Sequence, residues 1–417
     1  MENTINFGFN SPTLADKANI LPIAENFKMI DKNRFDKFYQ IGDVITTARS
    51  AVLSNWLRCD GSVVMPGDYP SLESMLESAS FSGKWATKNL QFGNILGMAN
   101  NASWIVVHTT TGLYTSNTGF SSGLVRNTSV PATGIGNSAG TTIKYLNGYW
   151  VLVDMHYIYY CKGNPNGTWG RAGSFGGDPW NISSIEWGND YWVITHGHSS
   201  AATMWYKQGD FATGTWQSYT MTGFAGPQNL TYANNYWAFT YASQITPSEQ
   251  NIYYRTGTPN GTFSEGALRV PNSGKLKYTN GYWFYLENAT PGNGRLYYGT
   301  SALNLGNVIT FPVSLNALDV CYANNTWAVF FGTSGGLGAL FYKQGAFSND
   351  TNNWTKNANF TAKLENVFFY SNVWYGRTWF HHVSVAEELI YMSNGLWLPD
   401  ISLGTGARSY IKAKELP

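Results

Sequence analysis

Six histidines carry the first chemical possibilities in this 417-residue chain: His108, His156, His196, His198, His381 and His382. Two stretches, "THGHSS" and "WFHHVS", hold paired imidazoles close enough in sequence to ligate zinc. No cysteine or carboxylate stands beside them at ligand spacing, so they read as polar loop residues, with no metal and no cofactor expected. Sugar hydrolysis needs two carboxylates held about 5–10 Å apart. Acids are sparse through the middle of the chain and no pair recurs, so Asp154, Asp178 and Glu287 read as solvated loop residues. The three cysteines, Cys59, Cys161 and Cys321, are odd in number and far apart, which suggests neither a disulfide framework nor a CxxC metal site. Cys59 in "RCDG" reads as a buried structural thiol. The expectation is a protein that is not an enzyme.

The elements that would position any site come from composition and then from a repeat. Only 12% of residues are charged, 16% are aromatic and 44 are Gly, which favours strands and turns over helices. Basic and acidic residues nearly cancel, 26 against 25, so nothing in the charge points to nucleic acid or a membrane surface. No apolar run reaches the length of a membrane-spanning helix. The opening "MENTINFGFN" lacks the basic and apolar regions of a signal peptide, so synthesis in a cytoplasm is expected.

The repeat is seen in "KYLNGYWVLV", "EWGNDYWVIT", "TYANNYWAFT", "KYTNGYWFYL" and "CYANNTWAVF". Aligned on Trp104, Trp150, Trp192, Trp237, Trp283, Trp327 and Trp374, seven copies stand 46, 42, 45, 46, 44 and 47 residues apart. A period near 45 is that of four-stranded units stacked side by side. Three positions before the Trp stands Asn in six copies and Ser371 in the last, mostly followed by Gly, Asn or Asp. Such pairs accept the positive φ angles of a two-residue type I′ hairpin turn. The turn places the residue five before the Trp opposite it: Tyr145, Trp187, Tyr232, Tyr278, Tyr322 or Phe369, with Ala99 the exception. Aromatic pairs across strands are worth roughly 0.2–1 kcal/mol each. The following strand, as in "WVLV", is apolar on both faces and has to be covered on both.

A Tyr column follows each Trp by 10 to 17 residues, from Tyr114 to Tyr391, and several copies continue to a closing aromatic in "NPNGTW", "DFATGTW", "TPNGTF" or "NDTNNW". This second hairpin resembles the Asp-box of sialidase-like propellers, with Asp210 and Asp350 the acids in its turns. A sialidase would also need an arginine cluster, a Tyr nucleophile and an acid. "LRVP" at Leu268–Pro271 resembles the first such arginine motif, but Arg126, Arg171, Arg255, Arg295 and Arg377 do not fall in equivalent columns.

Two hairpins in each of seven units predict an all-β chain, a seven-bladed β-propeller of four-stranded blades. The last copy lacks an outer strand, and a spare one precedes the first copy: "GKWATKNLQF" parallels "NNWTKNANFT", with Trp85 matching Trp354. Residues 84–90 are therefore expected to close the ring from its N-terminal side, removing open sheet edges.

The flanks carry a second resemblance. "GDVITTAR", "WLRCDGSVV" and "YPSL" before the repeat, and "LPD" and "YIKA" after it, are similar to the collar-type domain of bacteriophage tail fibres. Trp56, Cys59, Asp60, Gly61, Tyr69, Pro70 and Leu72 carry the first part of the pattern; Leu398, Pro399, Asp400, Tyr410, Ile411 and Lys412 carry the second. The resemblance covers some 50 residues and implies a propeller inserted into a small collar-like domain. The expected organisation is an arm for virion attachment at 1–40, collar halves at 41–81 and 395–417, and the propeller at 82–394.

What the resemblance implies is a virion protein of the tail fibre or tail tip, made in the host cytoplasm and present as a homo-oligomer. It would present the propeller for attachment to a host-cell surface glycan or protein. The alternative is a structural virion protein, a tail hub or capsid decoration, whose propeller docks other virion proteins; a glycan hydrolase ranks below both. The repeated aromatics are needed for packing in every blade, so binding is expected where the copies differ, in loops on a rigid scaffold. The candidates for receptor binding are Trp180, His196, His198, Trp379, His381 and His382.

Overall fold

In a computed structural model the chain divides into two compact units, one of residues 80–393 and one assembled from 1–79 and 394–417. The structure describes residues 80–393 except 90–92, 119–123, 131–141, 155–156, 173–174, 176–181, 197–201, 222–226, 243–248, 272–273, 289–291, 303, 334–336 and 379–388. In the other unit it describes residues 2–3, 10–11, 44–47, 56–58, 63–64, 69–72, 78–79, 395–397 and 408–412.

The larger unit is a seven-bladed propeller of four-stranded antiparallel blades. Blade 2 is typical: Thr142–Leu146, Tyr149–Asp154, Tyr157–Lys162 and Gly170–Ala172 pair in that order. The first strands of neighbouring blades meet in a closed cycle, with that of blade 7, Leu364–Tyr370, against that of blade 1, Ile95–Asn100. Helix among the described residues is limited to two single turns, Pro70–Leu72 and Thr351–Asn353.

The turn chemistry explains the first hairpins. Asn147 and Gly148 have φ of 45° and 79°, Asn280 and Gly281 45° and 85°, and Asn189–Asp190, Asn234–Asn235, Asn324–Asn325 and Ser371–Asn372 follow suit. The aromatic clasps form as the register requires. Tyr145 lies opposite Trp150 with ring centroids 4.8 Å apart, and Tyr232 opposite Trp237 at 4.6 Å. The first copy departs from the pattern. Asn101 there accepts from the backbone N–H groups of Ser103 and Trp104, and the turn is longer. Asn100 pairs with Ile105, so Trp104 stands outside the ladder and Ala99 faces Val106 instead.

Double-sided burial of the second strands follows from their place between two blades. Trp150 and Leu152 pack with Val106 and Leu113 of blade 1, while Tyr149, Val151 and Val153 pack with Ile185 and Trp192 of blade 3. The core is thus a circular series of aromatic layers, one between blades, rather than one central mass.

The ring closes through Ala86–Asn89, which pairs with Leu389–Met392 as the outer strand of blade 7, Thr87 opposite Tyr391. A repeated clamp marks this strand as an ordinary blade member. Asn127 of blade 1 donates to the carbonyls of Pro165 and Gly167 in the second-hairpin turn of blade 2, at 2.8 and 2.9 Å. Asn357, after the outer strand of blade 6, does the same to Phe81 and Gly83, at 3.0 and 2.8 Å. Phe81–Gly83 is therefore the closing blade's version of that turn, separated from the rest of its blade in sequence.

In the smaller unit, Arg408–Lys412 lies between Val44–Thr47 and Trp56–Arg58, and Gly395–Trp397 lies between Val63–Val64 and Ser78–Ala79. Each of its three-stranded sheets takes its central strand from the C-terminal segment and both edges from the N-terminal one.

Candidate functional site

The first strands surround an axial cavity of about 700 Å³ to which all seven blades contribute. Its wall is set by two sequence columns. Lys144, Glu186 and Lys277 each stand six positions before the repeated Trp; Lys275 and Asp319 stand eight before. In five blades the first strand also carries an irregularity in register near this level, between Ile95 and Gly97, Ile182 and Ser184, Gln228 and Thr231, Ala317 and Asp319, and Glu365 and Phe368. A bulge adds a residue to one strand and re-aims a side chain.

The charges form a layer tied across blades. Lys144 donates to Glu186 of blade 3 and to the Ile185 carbonyl, both at 2.9 Å. Lys277 of blade 5 meets Asp319 of blade 6 at 2.5 Å, and Asp319 also accepts from the backbone N–H of Val367 in blade 7 at 2.8 Å. Lys275 reaches past blade 6 to Glu365 at 2.6 Å. Arg377 grips Glu365 at 2.5 Å, donates to Asn366 at 2.8 Å and crosses to the Ile95 carbonyl of blade 1 at 2.8 Å. Burial works against the charge on Lys277, yet the Asp319 carboxylate beside it, with a hydrogen bond to Cys321 Sγ, holds the ammonium above its ordinary range. The Cys321 thiol is pushed up to about 12 by burial and by the Asp319 carboxylate, so it stays protonated and donates to the Val367 carbonyl at 3.1 Å.

Two histidines occupy equivalent places, four residues after Trp104 and Trp192. His108 lies within the second strand of blade 1, fully buried, with neither ring nitrogen hydrogen-bonded among the described residues. Burial, with a contribution from Arg377, pushes its pKa down to about 3. His196 ends the second strand of blade 3 and is also buried, its Nε2 without a partner among the described residues. Neither is the exposed loop residue expected, because the second strand continues four residues beyond its Trp before turning. Glu287 is likewise buried, at 1% exposure, and accepts from Asn293 at 3.2 Å; the solvated reading of it was wrong. Of the receptor-binding candidates, only His196 falls among the described residues. Trp180, His198, Trp379, His381 and His382 lie outside them, as does Asp178.

At the turn end of the blades, Asp210 fastens blade 3 to blade 2. It accepts from the Tyr149 hydroxyl at 2.6 Å and pairs with Lys162 at 3.0 Å, and these contacts, Tyr149 first, hold its carboxyl down to about 2. Its other oxygen accepts from the Ala212 N–H, as Asp350 accepts from Asn352 in blade 6, so both acids serve their turns. Among the described residues no group of three or more histidine, cysteine, aspartate or glutamate side chains could hold a metal ion, and no helix is long and apolar enough to cross a membrane.

The cavity's charged columns were hidden in the sequence because each blade uses them differently. The level six before the Trp reads Met98, Lys144, Glu186, Thr231, Lys277, Cys321 and Phe368. The available signal was position: these residues alternate with the uniform aromatic column one place later.

No family model matches the chain, and no curated protein matches it. Among solved structures, a catalytically inactive virginiamycin B lyase from Staphylococcus aureus with quinupristin shares the architecture at a TM-score of 0.50 and 12% identity. That likeness covers 76% of this chain and 99% of the other. The β-propeller domain of the Trilobed protease from Pyrococcus furiosus superposes at 0.47 with 10% identity, over 74% of this chain and 99% of its own. At these identities the likeness is one of fold.

Proposed function

We propose that the chain is a phage tail attachment protein whose propeller binds a host-surface glycan without cleaving it. The axial cavity carries this reading: it is open space on a closed ring, walled by charged, amide and aromatic groups from every blade, as binding sites are. Each carboxylate in its wall is committed to a cation, a disposition that suits recognition more than acid–base chemistry. The tail-fibre part rests on the collar-like residues. Strand pairing between Trp56–Arg58 and Arg408–Lys412, which hold part of both halves of that pattern, supports an inserted propeller. Several copies on one particle would turn weak single-site affinity into avidity.

The test has two arms. Antiserum to the purified protein should label phage tails in electron micrographs, and the protein should compete with phage for adsorption to host cells. Labelling without competition would replace receptor binding with a structural role in the virion. Release of reducing sugar from host polysaccharide would overturn the non-catalytic reading.

A further inference from the structure

The charge layer of the cavity is not symmetric toward solvent. Its cations outnumber its carboxylates, Lys144, Lys275, Lys277 and Arg377 against Glu186, Asp319 and Glu365. In each pair the lysine side chain is also the more exposed member, although the Lys277 ammonium itself is turned onto Asp319 and Cys321. Lys275, Lys277 and Lys144 are 47%, 33% and 28% exposed, and their partners Glu365, Asp319 and Glu186 only 8%, 7% and 12%. The carboxylates are shielded because the backbone also uses them: Asp319 accepts from the N–H groups of Val320 and Val367, and Glu186 from that of Trp187. A ligand in the cavity therefore meets lysine side chains before carboxylates, Lys275 foremost among them. Lys275 stands out, since the hydrogen-bond and ion-pair partner of its ammonium among the described residues is Glu365, which Arg377 already neutralises.

We propose that the axial cavity binds a saccharide through an oxyanion substituent, a carboxylate or a sulfate, seated on Lys275 with Lys277 and Lys144 beside it. This rests on the attachment reading and names the ligand class for it. An anion at this place completes the charge balance of the layer. Ion-paired contacts are shorter and stronger than neutral ones, and more so where walls exclude water. Tyr145, Tyr278, Asn229 and Thr231 line the same wall, and donors among them are engaged inside the ring, Asn229 to Thr240 and Gly274 and Tyr278 to Asn234, so the oxyanion contact carries the recognition.

Calorimetric titration of the full chain with tri-galacturonate, its methyl ester and an O-sulfated neutral trisaccharide tests the assignment. One or both acidic sugars should bind and the ester should not; the tighter acidic ligand identifies the substituent. Lys275→Met should weaken binding about tenfold or more, the usual weight of one charged hydrogen bond. Lys275→Arg should retain most of it, and salt at about 0.5 M should weaken it. Equal binding of ester and acid, no binding of either acidic sugar, or unchanged affinity in a folded Lys275→Met chain would overturn the proposal. Host-cell adsorption separates the two readings. If wild type adsorbs yet binds no acidic sugar, the ligand class alone fails; if wild type does not adsorb, attachment fails, whatever the cavity binds.

Discussion

His108 is the residue whose place in the fold has the clearest measurable consequence. Its folded-state pKa of about 3 lies below the ordinary 6.5. Above pH 6.5 the imidazole is neutral in folded and unfolded chains, and stability is unaffected. Below it the unfolded chain takes up a proton that the folded ring refuses, so stability falls as pH drops toward 3. At about 1.4 kcal/mol per unit, the loss from this residue between pH 6.5 and 4.5 is about 2–3 kcal/mol. Urea unfolding of His108→Leu should show that much less acid sensitivity than wild type; identical pH profiles would refute it. Trp237, fully buried between blades 3 and 4, belongs to the opposite class. Trp237→Ala should cost about 3–5 kcal/mol at any pH, read in the same titrations. The Trp was legible as core because it recurs. His108, His196 and Glu287 were not, because one polar residue in an apolar strand looks the same in sequence whether it faces water or a neighbouring blade.

Turns and strand ends were the most legible elements, since their cause is local. A turn pair of Asn or Ser followed by Gly, Asn or Asp at fixed distance from Trp favours positive φ, and the backbone supplies it in six of seven copies. Gly281, at φ 85° with open space where a Cβ would stand, isolates this effect. Gly281→Val should lower stability by about 1–2 kcal/mol through the backbone alone, measured by thermal melting against wild type. Blade 1 escaped the pattern because the side chain of Asn101 builds a different turn. The register irregularities of the first strands were illegible for another reason. They answer to neighbouring blades: the side chain of Asn229, with φ 56° at one of them, donates to the Gly274 carbonyl of blade 5 at 2.9 Å. With the bulges unseen, the cavity wall could not be assembled from the sequence.

At the scale of the molecule, seven copies of a weak pattern gave blade number and closure more securely than any one copy gave its own turn. The two Asn clamps allow closure to be tested without deleting anything. Asn127→Ala and Asn357→Ala each leave two backbone carbonyls without their partner, an effect of about 1–3 kcal/mol. Similar losses in chemical denaturation would make the closing blade equivalent to an internal one; a negligible loss for Asn357→Ala alone would mark the seam as loose. A fragment of residues 80–393 should unfold cooperatively. One of residues 91–393 lacks the closing strand, exposes the edge of Leu389–Met392 and should aggregate, as light scattering would report.

The closing strand and the central strands of the smaller unit share one property: partners at opposite ends of the chain. Ala86–Asn89 leaves the ribosome some 300 residues before Leu389–Met392 exists. At about 5–20 residues per second, that is roughly 15–60 s of waiting with an unpaired edge. The smaller unit waits longer still, for Arg408–Lys412. A chain that stops early can close neither its ring nor its sheets. Synthesis through residue 412 is thereby a condition of folding, and a copy truncated before it is removed from the folded pool without a separate inspection step.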